Sequence, residues 1–294
     1  MSARSSFFPE AIEESSAHTL AGWRTRNVKI SWRLLTLPML AFIAIPIVAL
    51  FLRTPLSTLG ATLNSTQVVQ SIRLSAMTTL TTAALTFFFG TPVALMLSQR
   101  NFRLYRVVDT LIDLPTVLPP SVAGIALLMA FGRKGVLGGA LSAIGVSIPF
   151  TAVAVIMAQT FVACPLFIKA AAIGFSAVDP ELRQAAALDG ANRWQTFRYI
   201  ILPMSVSSLI SGIVLTWARA LGEFGATIIF AGNFPGRTQT MPLAIYLGFE
   251  IDLNVALTLA IIMICFSFLT LILVKSILHQ RFDPTFSPAP RNAL

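Results

Sequence analysis

The run LSAMTTLTTAALTFFFGTPVALML at residues 74–97 carries no charge and is long enough to cross a lipid bilayer as one helix. About 20 apolar residues suffice to span the hydrocarbon core. The whole 294-residue chain has a similar character, with 55% hydrophobic residues, 11% charged residues and a mean hydropathy of +0.79. Soluble domains carry about 25% charged residues. The composition therefore indicates a membrane protein and excludes an ordinary soluble enzyme.

Further uncharged stretches of similar length predict an all-α, polytopic membrane protein with about six transmembrane helices. The stretches are Leu34–Leu52, Leu114–Phe131, Gly135–Ile168, Pro203–Ala218, with an extension past one charged pair to about Phe230, and Leu253–Val274. We expect a cytoplasmic N-terminal tail and interfacial segment at residues 1–33, a transmembrane domain at 34–278, and a cytoplasmic C-terminal tail at 279–294. These assignments leave no room for a catalytic domain outside the membrane.

The net charge of +9 predicts an orientation rather than a nucleic-acid partner. With an internal N-terminus, most of the 21 Lys and Arg residues fall in the tails and connections on the cytoplasmic side. The positive-inside rule then places both termini in the cytoplasm.

No catalytic or metal-binding cluster can be assembled within the predicted spans. His18 and His279 lie outside them, which leaves an intramembrane protease without a base and a metal without imidazole ligands. Cys164 and Cys265 lie in apolar segments, where free cysteine packs as a small hydrophobe. Gly132–Gly135 lacks the spacing and the Lys-Ser/Thr pair of a nucleotide-binding loop. We therefore expect no metal, no cofactor and no ATP site on this chain.

Pro115, Pro119 and Pro120 lie at the start of the third predicted span. Proline removes a backbone donor and interrupts a helix, so this segment is a candidate broken helix whose freed backbone groups need protein or water as partners. The alternative is a cytoplasmic loop before an ordinary helix, because Asp109 and Asp113 favour a surface position. Either interpretation keeps the segment away from lipid.

The stretch between the fourth and fifth predicted spans is amphipathic, and it predicts two short helices at residues 179–199. Asp179-Pro180-Glu181 is typical of a helix start, and Asp189-Gly190 is typical of a helix end. The three alanines at 185–187 predict an exposed surface of small side chains that a partner can approach closely. The alternative is a plain helix–turn–helix that only connects two spans.

The spacing of this loop resembles the EAA loop in permease subunits of binding-protein-dependent ABC importers. The segment from Gln184 to Pro203 follows the pattern EAA-x3-G-x9-I-x-LP, with Gln184 where the family usually has Glu. That departure removes one charge and leaves the side-chain shape nearly unchanged. The resemblance implies that the loop docks into an ATPase subunit through Pro180, Glu181, Gln184, Ala185, Ala186, Ala187, Asp189, Gly190 and Trp194.

Other stretches resemble the molybdate/tungstate subgroup of these permeases. They are Arg219–Thr227 with Ala231–Thr240 and Pro242–Tyr246, and Leu114–Pro120 with Gly132–Gly135. Sulfate/thiosulfate permeases carry a related stretch in the fifth helix, so a sulfate/thiosulfate importer is the alternative.

The resemblance implies a type I ABC-importer permease fold and a transport subunit without catalytic activity of its own. Its partners would be a second copy in a homodimer, ATPase subunits that hold ATP and Mg, an extracytoplasmic oxyanion-binding protein and the lipid of a bacterial inner membrane. Molybdate or tungstate would then enter the cytoplasm by alternating access. An ion-coupled secondary transporter is another alternative, but its usual coupling-ion site and inverted repeats are not evident in the sequence.

Arg219 and Glu223 are four residues apart on the fifth predicted span and can pair on one helix face. An ion pair within the membrane is a functional candidate by default, which would place Arg219 on the translocation path. The other interpretation is that the pair fastens the fifth helix to a neighbour or to a second copy. Compensation of the arginine by Glu223 favours the fastening role, and selectivity is then expected on the separate binding protein.

Overall fold

The computed structural model describes residues 36–100 and 103–282, and every regular element within these ranges is helical. The helices are α1 (Thr36–Arg53), α2 (Leu56–Leu63), α3 (Thr66–Gln99), α4 (Tyr105–Val117), α5 (Pro120–Phe131), α6 (Gly138–Ala143), α7 (Ala152–Ser176), α8 (Pro180–Leu188), α9 (Arg193–Thr196), α10 (Leu202–Met204), α11 (Val206–Leu221), α12 (Gly225–Phe230), α13 (Met241–Ile251) and α14 (Leu253–Phe282), with one π-helical turn at Phe197–Ile201. The predicted tail at 1–33 lies outside the described residues.

Four of the described helices, α1, α3, α7 and α14, are long and apolar enough to cross a membrane alone. Two further candidates are bent pairs: α4 with α5 at 116°, and the α9–α10 segment with α11 at 72°. Counting each bent pair as one span gives six, so the all-α fold with about six spans is confirmed. The chain divides into residues 1–55, which contain α1, and residues 56–294, which contain the other helices.

Three predicted spans differ from the helices that form. Leu114–Phe131 is not one helix, because α4 runs through Pro115 to Val117 and α5 starts afresh at Pro120. The predicted span Gly135–Ile168 begins too early, since residues before Ala152 form turns and the short α6. Its glycines and Pro149 break the helix without adding charge, so a scan for charged residues does not detect the break.

The fifth predicted span is also interrupted, and the helix that follows it was not predicted. α11 ends at Leu221, and α12 starts only after the Gly222–Phe224 break. α13 follows Thr240 as an independent helix of 11 residues, too short for a length-based search for spans. α14 continues through Phe282, past residue 279 where the C-terminal tail was expected to begin.

The centre of the second unit is the packing of α7 against α3 and α11. α7 and α11 approach closely at small residues: a Cβ on Gly174 would lie 2.5 Å from the Ser208 Cβ, and one on Gly212 would lie 3.2 Å from the Phe167 ring. Ser208, Gly212 and Thr216 recur at four-residue intervals, which is the usual pattern for close helix pairs in membranes. α7 and α11 therefore form a tight pair.

A buried polar stripe on α3 joins it to its neighbours. The Ser75 hydroxyl accepts from the Met241 amide at 2.8 Å, and the Thr79 hydroxyl accepts from the Trp217 indole at 3.1 Å. Thr82 donates to the Gln159 side chain at 3.2 Å. Such hydroxyls also bond to carbonyls of their own helix, so they can lie inside an apolar bundle at little cost.

Candidate functional site

The loop between α7 and α11, residues 177–205, is called the connector below, and its first half is a fully capped helix. The Asp179 side chain accepts from the Glu181 amide at 2.9 Å, with Pro180 at the first helical position. At the other end Gly190 has a φ of +82°, and its amide donates to the Ala187 carbonyl at 3.1 Å. Ala191 N–H donates to the Ala186 carbonyl at 2.9 Å, which completes a Schellman motif. The Asp189-Gly190 pair therefore ends the helix as expected.

The second half of the connector starts with a capping box. Asn192 accepts from the Gln195 amide at 2.9 Å, while the Gln195 side chain accepts from the Asn192 amide at 2.8 Å. The Asn-x-x-Gln spacing is the sequence signal for this cap, and our sequence analysis missed it. The helical turns then continue through the π-helical turn to Met204 and do not stop near residue 199. The connector thus leads into α11 without an intervening flexible loop.

The exposed surface of the connector differs from the predicted one. Ala185 and Ala187 are exposed, but Ala186 is buried, so the three alanines do not form one continuous surface. The reason is the helical period, which turns Ala186 inward when its neighbours face outward. Large apolar side chains are exposed instead, namely Leu188 at 89% and Trp194 at 68%. Their exposure leaves both side chains accessible to a partner.

Arg183 fixes the connector to α7. Its guanidinium donates to the carbonyl of Phe175, one residue before the end of α7. A cation is favourable there because the last carbonyls of a helix lack partners within the helix and carry a partial negative charge. No local sequence pattern predicts this contact, since it depends on the direction in which α8 turns back.

Two broken helices meet at a second candidate site, which is called the helix-break junction and comprises residues 118–120 and 222–225. A Cβ on Gly225 would lie 2.6 Å from the Pro120 Cβ, and one on Gly124 would lie 2.8 Å from the Ala226 carbonyl oxygen. The starts of α5 and α12 are therefore packed directly against each other. The prolines in the sequence indicate the first break, but no pattern in the sequence indicates that the two breaks are in contact.

The predicted pair of Arg219 and Glu223 forms at this junction. The two side chains are joined by a 2.8 Å bond from Arg219 Nη1 to Glu223 Oε2. The other carboxylate oxygen accepts from the Ala226 amide at 2.9 Å, so Glu223 also caps α12. The acid is the buried partner of the pair: the Glu223 side chain is 1% exposed and that of Arg219 is 36% exposed.

A second charged cluster lies toward the connector end of α7. Lys169 binds Asp109 at 2.5 Å and Asp113 at 2.8 Å, which fastens α4 to α7. The cluster borders a cavity of about 230 Å³. The two acids are four residues apart and so share a face of α4, but the lysine is far away in the sequence. Sequence reasoning noted the acids and missed their partner.

Within the described residues there is no group of three or more His, Cys, Asp or Glu side chains that could hold a metal ion.

Comparison with known proteins gives consistent relatives. Residues 87–287 match the family of binding-protein-dependent transport system inner membrane components. A probable transport system permease protein, NifC of Clostridium pasteurianum, is 42% identical over 208 residues, 70% of this chain and 73% of the relative. The molybdenum transport system permease protein ModB of Mycobacterium tuberculosis is 38% identical over 225 residues, 76% of this chain and 85% of the relative. The molybdate/tungstate transport system permease protein WtpB of Thermococcus kodakarensis is 35% identical over 231 residues, 78% of this chain and 87% of the relative.

Solved structures resemble the fold. A bacterial ABC transporter involved in the import of alginate matches with a TM-score of 0.66 and 18% identity, covering 90% of this chain and 100% of that chain. The MetNI methionine ABC transporter in an inward-facing conformation matches with a TM-score of 0.57 and 18% identity, covering 73% of this chain and 95% of that chain.

Proposed function

Because this chain belongs to the family of binding-protein-dependent transport system inner membrane components, we propose that it carries molybdate or tungstate into the cytoplasm as the permease of an ABC importer. The chain is a multi-pass inner-membrane protein and a transport subunit. The observation that carries the substrate assignment is 35–38% identity to permeases named for molybdenum and for molybdate/tungstate, over more than two thirds of the chain.

In the proposed mechanism two copies of the chain enclose the path, and ATPase subunits on separate chains hold ATP and Mg. ATP-driven closure of those subunits moves the connector, which swings the spans between inward-open and outward-open states. The capped α8, the capping box before α9 and the Arg183 contact make the connector stiff. Stiffness matters because the movement must be transmitted to α7 and α11 and not absorbed by the loop.

The docking surface for the ATPase is proposed to be formed by the exposed side chains of the connector. It combines small side chains at Ala185 and Ala187 with the exposed Leu188 and Trp194. Gln184 is exposed on the same helix. Small residues allow a close approach of the partner backbone, and the large apolar residues supply area to bury.

The proposed orientation places the connector in the cytoplasm and the α12–α13 loop outside, where a binding protein would deliver the anion. Arg198 and Arg237 are both exposed and lie in these two loops, so they form a matched pair of labelling positions. In a chain without Cys164 and Cys265, we expect an impermeant thiol reagent added to intact cells to label Arg237→Cys and not Arg198→Cys. Labelling of Arg198→Cys from outside would contradict this orientation.

The function itself is tested by uptake into vesicles. The permease is reconstituted with its ATPase and its binding protein, and labelled molybdate uptake is measured with and without ATP, and with excess tungstate or sulfate. We expect uptake that requires ATP and that tungstate suppresses more strongly than sulfate. Suppression by sulfate alone would favour the sulfate/thiosulfate alternative, and uptake driven by an ion gradient without ATP would favour a secondary transporter.

A further inference from the structure

The exposed side of α11 includes Arg219 and is the strongest unexplained surface in the described residues. The buried side of α11 packs with Leu209, Gly212, Thr216 and Ala220. On the other side Leu215 and Ala218 are exposed, as is Gly222 directly after the helix, and Arg219 is partly exposed beside them. These residues recur at helical intervals, so they form one continuous strip along α11.

Depth in the membrane restricts what this strip can face. Arg219 follows Val206, the first residue of α11, by about 20 Å along the helix, so it lies well inside the hydrocarbon layer for a helix that starts near one surface. A guanidinium that faces lipid at that depth is strongly unfavourable. The strip therefore faces water or another protein subunit and not lipid.

The hydrogen bonds of the pair are divided unequally between its members. Both oxygens of Glu223 are occupied, one by Arg219 and one by the Ala226 amide. Arg219 has five N–H donors, and among the described residues only its Nη1 has a recorded partner. Glu223 thus makes its hydrogen bonds within the fold, to Arg219 and to α12. Arg219 has further N–H donors on its exposed edge that are not bonded to any described residue.

We propose that Glu223 is the structural member of the pair and that the free edge of Arg219 contacts the transported tetrahedral oxyanion. This inference rests on the proposed function and adds a residue on the path. Arginine presents its donors as a planar fork that suits oxygen anions. Because Glu223 compensates the charge of Arg219, the site offers directed hydrogen bonds to the anion but does not attract it with a full positive charge. A transport site must release its ion as well as bind it, and a compensated arginine satisfies both needs.

The pair also links the elements of the helix-break junction. Glu223 joins Arg219 on α11 to the first turn of α12, and α12 packs on the start of α5 through Gly225 and Pro120. The guanidinium is held by its acid at one corner, which fixes the direction of the free edge. A fixed direction reduces the side-chain entropy that binding would otherwise cost.

The test measures protection of a neighbouring thiol. Ala218→Cys is placed on the exposed strip in a chain without Cys164 and Cys265, assembled with its ATPase. A neutral thiol reagent is then applied with and without millimolar molybdate. We expect molybdate to slow the modification several-fold when Arg219 is present, and to have no effect after Arg219→Gln. Failure of the reagent to reach the thiol, or equal protection with and without Arg219, would overturn the proposal.

Folding and transport controls separate the two roles. Arg219→Gln leaves Glu223 without its counter-charge and can fail to assemble, so the neutral pair Arg219→Gln with Glu223→Gln is tested beside it. We expect this double variant to assemble and to take up molybdate about tenfold more slowly, the factor that corresponds to one lost charge-assisted hydrogen bond. Arg219→Lys should give an intermediate uptake rate, because an ammonium group lacks the planar, forked donors of a guanidinium. Arg106→Gln makes the same charge change at an exposed position on α4 and should transport normally.

The outcomes also separate this inference from the proposed function. If the unmodified complex shows no ATP-driven molybdate uptake, the proposed function fails, whatever the thiol assay gives. If uptake is normal in the unmodified complex and unchanged in the neutral double variant, the function stands and the role of Arg219 is refuted.

Discussion

The two charged clusters of the bundle differ in burial and in what they join. Lys169 with Asp109 and Asp113 connects residues far apart in the sequence, and its side chains are 31%, 31% and 46% exposed. Arg219 and Glu223 lie on one helix segment, and the acid is 1% exposed. The long-range cluster is partly screened by solvent, whereas the local one has a member that solvent does not reach.

This difference shows that a large sequence separation does not imply a large contribution to stability. Solvent-exposed ion pairs contribute about 0–1 kcal/mol, so the Lys169 cluster sets the position of α4 more than it sets stability. A buried carboxylate that loses its partner changes stability much more, because its charge is then left buried without compensation. The pair that is easy to find in the sequence is therefore also the one with the larger structural consequence.

The largest expected effect comes from removal of Glu223. Glu223→Leu leaves the Ala226 amide and the Arg219 guanidinium without their shared partner, and because the unpaired amide is buried while the guanidinium is partly exposed, we expect a loss of about 2–3 kcal/mol in the free energy of unfolding. The measurement is thermal denaturation of the purified permease–ATPase complex, together with the yield of assembled complex. A change within experimental error would show that the two clusters do not differ in their contribution to stability.

The double change Arg219→Met with Glu223→Leu serves as the matched comparison for that variant. It removes both charges, so we expect assembly to recover relative to Glu223→Leu. Recovery of assembly together with full molybdate uptake would contradict a contact between Arg219 and the anion. Recovery of assembly without uptake would support it.

An intermediate effect is expected at Gly190, on the connector that continues from α7 beyond the Lys169 cluster. A Cβ there would meet nothing within 4 Å, so the effect of Gly190→Val comes only from its φ of +82°. A β-branched residue in this conformation costs about 1–2 kcal/mol. We expect the last turn of α8 to unfold and the amount of ATPase that copurifies to fall. The denaturation midpoint of the helix bundle should change little.

Gly139→Val is the control for that variant, because its Cβ also meets nothing within 4 Å and its φ is not positive. It should leave ATPase copurification unchanged. Normal copurification and normal transport-linked ATP hydrolysis in Gly190→Val would refute a role for this turn in coupling.

The smallest expected effect is at Lys169. Lys169→Met removes a partly exposed pair of contacts, so we expect a loss of about 1 kcal/mol or less. High salt should reduce the difference from the unmodified protein, because exposed charges are screened. Denaturation at low and high ionic strength measures both. A large, salt-independent loss would place the Lys169 cluster in the same class as Glu223.

Local patterns account for the features that the sequence predicted well. Uncharged runs gave the long helices α1, α3, α7 and α14, because a helix needs only apolar length to cross lipid. The cap at Asp179 and the turn at Gly190 depend on neighbouring residues alone, so their positions were readable. The spacing of the connector was sufficient to indicate the family.

The limits of the spans and the direction in which side chains face could be determined only from the tertiary structure. A count of charges does not register a helix break at glycine or proline, so the fourth predicted span was placed too early and the break at Gly222–Phe224 was missed. Burial of Ala186 depends on which side of α8 faces the bundle.

The sequence by itself therefore determined that the chain is a helical membrane protein, where its connector begins and turns, and that Arg219 and Glu223 can pair. Each of these follows from residues within a few positions of one another. Only the tertiary structure decided that the two helix breaks meet at Pro120 and Gly225, that Lys169 reaches α4, and that Glu223 is buried while Arg219 keeps an open edge. Those outcomes depend on which surfaces of separate helices come together, and the sequence does not encode that relation at any short spacing.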